Sequence, residues 1–170
     1  MKYLVVFFLL GGCMPILTST ISTFSLDVAD EFVGMHERDN RSELREFMGV
    51  DPVRYEWCAA FVNAVLKDQG LPGSESVSEY PLLARSFLTW GQEVTDELQS
   101  GDIVVFPRGR EGWQGHVGFY IETQYIDDVK YYLILGGNQD NAVTYELFPA
   151  RFAIAMRRYV DLSTTTENSN

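Results

Sequence analysis

Cysteine and histidine are scarce in this chain, with two of each in 170 residues. Cys13, Cys58, His36 and His116 are too few and too scattered to supply the four ligands of a tetrahedral zinc site. Basic residues are also in deficit, with 13 Lys and Arg against 24 Asp and Glu and a net charge of -11. A chain so acidic lacks the basic stripe that neutralises phosphates, which excludes DNA and RNA as natural partners. No apolar run approaches the roughly 20 residues that a membrane-spanning helix needs. Low-complexity tracts and internal repeats are absent too, and neither a cofactor nor a metal is implied.

Hydrophobic residues make up 46% of the chain and aromatics 14%. That composition in this length describes one globular domain with a proper core. Residues 1–13 have a basic residue, a short apolar run and then small residues, the layout of an export signal. Leu10-Gly11-Gly12-Cys13 resembles a bacterial lipobox, in which Cys13 would be acylated; the plain alternative is an ordinary signal peptide or a packed N-terminal segment. Residues 14–24 are uncharged and rich in Ser and Thr, which suits a tether. The domain is expected over 25–160, followed by a polar tail over 161–170.

Within the domain, Ser25 is an expected N-cap for a helix that stops at Gly34, and a second helix is expected from Arg41 to Met48, ending at Gly49. The apolar pattern from Cys58 to Leu66 predicts a third helix, closed by Gly70. Pro81 fits the first turn of a fourth, running through Phe87 and Trp90 to Gly91. Strands are expected at Asp102–Phe106, His116–Ile121, Lys130–Leu135, Ala142–Leu147 and Ala155–Tyr159. Helices first and a meander of strands afterwards predict an α+β fold, with N-terminal helices packed on an antiparallel sheet.

Three places carry candidate chemistry. Cys58 opens a predicted helix, where unsatisfied N–H groups and the helix dipole favour a thiolate; a buried structural thiol is the plain alternative. His116 heads a strand behind a loop containing Gly109, Gly112 and Gly115, placed to act as a base for that thiol. Gly136-Gly137-Asn138-Gln139 follows the next strand. Antiparallel order brings the start of one strand beside the end of the next, so Asn138 is expected to meet His116 and hold its tautomer. The alternative is an ordinary Gly-Gly-Asn turn. His36, upstream of these segments, is read as a solvated helix-end residue, and Asp127-Asp128 as a solvated turn.

Trp57-Cys58-Ala59-Ala60-Phe61-Val62-Asn63, Ala84-Arg85-Ser86-Phe87-Leu88-Thr89-Trp90-Gly91, Gly101-Asp102-Ile103-Val104-Val105, Gly115-His116-Val117-Gly118-Phe119-Tyr120 and Leu135-Gly136-Gly137-Asn138-Gln139 together resemble the CHAP/NlpC-type peptidoglycan hydrolases. The similarity runs in order over roughly residues 25–160, in the branch with WCAAFVN, GHVGFY and GGNQ motifs. It implies a papain-like fold, with Cys58 as nucleophile, His116 as base and Asn138 as orienting residue. Trp57 and Gln139 are expected to line the cleft, and the Cys58 main-chain N–H to serve the oxyanion. One departure is Glu56, where such proteins often carry proline. The implied activity is cleavage of an amide bond in cell-wall peptidoglycan, by an amidase or a stem-peptide endopeptidase. Such a protein would be a monomer in the cell envelope, with peptidoglycan as partner and a membrane anchor through Cys13. A phage lysis or toxin role, exported or virion-associated, uses the same chemistry. A non-catalytic envelope or virion binding module is the reading from another class.

Overall fold

The computed structural model describes residues 26–160. Expectations for residues 1–25 and 161–170, including those for Cys13, the tether, the Ser25 cap and the tail, lie outside the described residues. Residues 26–30 are helical and lead through turns to Gly34. Two α-helices follow, α1 (Arg41–Met48) and α2 (Cys58–Asp68). Six strands form one antiparallel sheet: β1 (Gln92–Glu93), β2 (Ile103–Pro107), β3 (Gly115–Ile126), β4 (Val129–Gln139), β5 (Ala142–Pro149) and β6 (Ala155–Arg158). Their order across the sheet is β1-β6-β2-β3-β4-β5. The domain is therefore α+β. Among the described residues no helix is long and apolar enough to cross a membrane.

α2 is buried along most of its surface and packs on β3 and β4. Ala59 and Ala60 keep that approach close, while Phe61, Val62, Val65 and Leu66 fill the space against Val105, Val117, Phe119 and Leu135. Full burial of a side chain the size of Phe61 or Leu66 contributes about 1.5–3 kcal/mol. The opposite sheet face carries a second apolar layer of Val104, Phe106, Tyr120, Tyr132 and Ile134. A strand buried on both faces explains why the β2 sequence is an unbroken apolar run rather than an alternating one.

Besides β1, which was not expected, and the first helix, which ends at residue 30 rather than at Gly34, two elements differ from expectation. The α-helix predicted from Pro81 is a 3-10 helix, Ala84–Thr89. Tertiary anchors override its local pattern: Trp90 Nε1 donates to Pro72 O at 2.9 Å and Arg85 Nε to Gln114 O at 2.8 Å. Gly136-Gly137-Asn138-Gln139, expected just past the end of a strand, belongs to β4. Here the ladder pairs Gly136 with Thr144 and Gln139 with Ala142. Gly137 and Asn138 thus oppose Val143 alone, which makes a β-bulge with Asn138 at φ 58°.

Candidate active site

Cys58 is the first residue of α2, and its side chain is buried against the sheet. The main-chain N–H groups of Val117 and Ala59 face the sulfur. Ladder geometry explains why Val117 is free to do so. Tyr120 donates its N–H toward β2, to Asp102 O at 2.7 Å, so by the two-residue period of a strand Val117 donates to the other side. On that side the β3–β4 ladder stops at Phe119 and Leu135.

His116 is paired across the sheet with Phe106 and lies on the face away from α2. Its ring stacks on Phe148 with centroids 5.1 Å apart, and Phe148 stacks in turn on Phe106. Thiol and imidazole therefore approach the His116–Val117 main chain from opposite faces of the sheet.

Imidazole Nε2 lies 2.9 Å from Gln139 Oε1. The amide orientation of Gln139 is determined by its other bonds. Its Nε2 donates to Thr144 O at 2.6 Å and lies within reach of Ile134 O and Thr144 Oγ1. The amide oxygen must therefore face the ring and accept from it. That places the imidazole proton on Nε2 and leaves the Nδ1 lone pair free to accept a proton. Among the described residues the ring's hydrogen bond is to Gln139, and none joins it to Cys58.

These placements correct two expectations. Asn138 does not orient His116; its side-chain amide donates to Glu56 Oε2 at 2.7 Å. The bulge is the physical reason. A regular strand would put Asn138 on the face of Gly136 and His116, but the extra residue moves the next position, Gln139, onto that face instead. Trp57 does not line the cleft either. It is fully buried, its ring against Gly137 and Phe61, with its indole N–H donating to Glu37 at 3.3 Å. Gln139 does line the cavity beside His116, although it is only 2% exposed and its amide acts on the ring. His36 is not at a helix end but forms a bridge with Ala142.

Burial pushes the Cys58 thiol up from its ordinary value, with the N–H of Val117 and the guanidinium of Arg108 opposing that rise. Burial pushes His116 down to about 4, although the bond to Gln139 acts the other way. Near neutrality the pair is a thiol and a neutral imidazole, not an ion pair.

A cavity of about 150 Å³ opens on the imidazole side, walled by Arg108, His116, Asn138, Asp140, Glu146 and Phe148. Arg108 had not been singled out in the sequence, although it stands in the loop directly ahead of His116. Its guanidinium donates to Asn138 O at 3.3 Å and lies 3.7 Å from Glu56. Phe148 carried no signal short of its pairing across the sheet. In comparisons with protein-family models, curated proteins and solved structures, nothing matches this chain.

Proposed function

We propose that the chain is a papain-like cysteine hydrolase that cleaves an amide bond of peptidoglycan. The observation that carries this reading is the arrangement around Val117: a helix-start thiol faces its N–H, and the adjacent His116 is held by Gln139 with Nδ1 unprotonated. The substrate class comes from the motif resemblance, which fits either the bond between muramic acid lactate and peptide or one within the stem peptide.

In the reaction, Sγ of Cys58 bonds to the amide carbonyl carbon while its proton passes to Nδ1 of His116 by way of a water, since the two groups approach the strand from opposite faces. The carbonyl oxygen takes the negative charge and is met by the Cys58 main-chain N–H at the start of α2. Collapse of the tetrahedral intermediate breaks the C–N bond, and the imidazolium returns the proton to the leaving amine. Water, deprotonated by His116, then attacks the thioester, releasing the acid and restoring the thiol. Gln139 accepts the Nε2 proton throughout and stabilises the imidazolium.

The setting consistent with this chemistry is the cell envelope, with the protein a monomer tethered through an acylated Cys13. A phage lysis protein would act on the same bonds. The second reading, a non-catalytic module, is favoured by one observation, the burial that keeps both groups neutral at rest. Incubation of the full chain with purified peptidoglycan, followed by mass spectrometry of released fragments, separates the two. Soluble fragments with new amino termini from wild type, and none from Cys58→Ala, are expected. Release by Cys58→Ala, or none by wild type, would overturn the hydrolase assignment.

A further inference from the structure

We propose that Arg108 and Asn138 form a carboxylate-binding subsite beside Cys58, occupied at rest by the chain's own Glu56, which a substrate carboxylate displaces. The subsite is visible because a carboxylate is already in it. Glu56 Oε2 accepts a 2.7 Å bond from Asn138 Nδ2 and lies 3.7 Å from Arg108 Nη1. Arg108 is itself steadied by its bond to Asn138 O. A side-chain amide and a guanidinium converging on one carboxylate oxygen is a recurrent way to hold such a group.

The occupant is weakly held. The Glu56 side chain is 78% exposed and that of Arg108 45%, and an ion pair so open to water contributes little. Glu56 also stands two residues before the nucleophile, so a ligand carboxylate in its place would bring the rest of the ligand to the thiol. Charge favours exchange over addition. Asp140 and Glu146 wall the same cavity and repel any extra anion, whereas one carboxylate replacing another leaves the local charge unchanged. The ligand class is an acyl peptide with a free carboxylate near the scissile amide. Glu56 then acts as an internal competitor that selects for such substrates.

The bulge gives Asn138 this role. With φ 58° it projects off the face used by His116 and toward the segment that precedes α2.

The inference rests on Cys58 being a reactive thiol, and its test is independent of wall digestion. Full-length protein is alkylated with iodoacetate or with neutral iodoacetamide, and modification of Cys58 is read by peptide mapping, which separates it from Cys13. The same thiolate attacks both reagents, so the ratio of their rates cancels any change in thiol ionisation and reports how the site treats a carboxylate, with the uncharged Asn138→Ala separating ligation from a change in local potential. Glu56→Gln is expected to raise the iodoacetate preference about fivefold and Arg108→Gln to lower it by a similar factor, the worth of one exposed charge pair. Asn138→Ala, which alters no charge, is expected to lower it less. A ratio unmoved by Glu56→Gln and Arg108→Gln, or one that these move while Asn138→Ala leaves it at the wild-type value, overturns the proposal, as does a Cys58 that neither reagent reaches. Failure of wild type to digest peptidoglycan, with these ratios as expected, would remove the hydrolase reading and leave the subsite standing.

Discussion

The amide oxygen of Gln139 lies 2.9 Å from Nε2 of His116, and three oxygens around the amide nitrogen keep it pointing that way. This makes Gln139 the positioning residue of the candidate site. Gln139→Ala is expected to lower kcat on soluble peptidoglycan fragments about 10–100-fold, the usual cost of losing a partner that orients a functional group. Asn138→Ala leaves that bond in place and costs less in kcat. Nitrogen NMR of the imidazole should show the Nε2–H form in wild type and a tautomer mixture in Gln139→Ala. Equal kcat for Gln139→Ala and wild type would end this assignment.

Stability should depend on pH through His116. Its pKa falls from 6.5 in the unfolded chain to about 4 in the folded one, so between those values the unfolded chain binds more protons. The contribution is complete above pH 6.5 and is lost as pH falls toward 4, and amounts to about 3 kcal/mol. Urea midpoints measured at pH 7 and pH 4.5 check this, and in His116→Phe the dependence on this window should shrink.

The thiol behaves in the opposite sense. Raised by burial above its ordinary value of 9.0, it favours the folded state at and below that pH and opposes it above. Alkylation of Cys58 by iodoacetamide should accordingly be slow at pH 7 and climb with pH through 9. A fast plateau from pH 5 to 8 would instead reveal a preformed thiolate–imidazolium pair.

Much of the fold was legible because its signals are local. Gly49 and Gly70 mark helix ends, and the β-branched run at Ile103–Val105 declares a central strand. The segments of Cys58 and His116 fall where the sequence pattern places them, one opening α2 and the other near the start of β3. The partner of His116 was misread because it depends on pairing with β5, which the motif itself does not encode. Trp57 was misplaced for a related reason. Proximity to the thiol along the chain says nothing about which side of the helix start faces the core, and here the indole fills the space that Gly137 leaves open.

That packing makes Gly137 sensitive. A Cβ there would lie 2.5 Å from the Trp57 ring and 2.8 Å from Phe61 Cβ. Gly137→Ala is expected to cost about 1–3 kcal/mol in chemical denaturation and to shift tryptophan fluorescence, as overpacked cores do. A variant as stable as wild type would show that the indole has room to move.

The β3–β4 hairpin offers a gain. Asp127 and Asp128 form its two-residue turn with φ of 50° and 63°, a conformation that glycine adopts without steric cost. Asp128→Gly should stabilise the domain by about 0.5–1 kcal/mol in thermal or urea unfolding. A lower midpoint would mean that the aspartate side chain contributes more locally than its backbone strain costs.

The extra residue in β4 also bears on how related chains are to be compared. Two sequences can align without a gap across Gly-Gly-Asn-Gln and still present different amides to the imidazole, if one of them pairs this strand without a bulge. Equivalence at this position is a matter of strand length between two pairing points, Gly136 with Thr144 and Gln139 with Ala142, and not of the letter in the column. Shifting the pairing by one residue, so that Asn138 rather than Gln139 opposes Ala142, would exchange the duties of the two amides, bringing the one that now touches Glu56 to the ring.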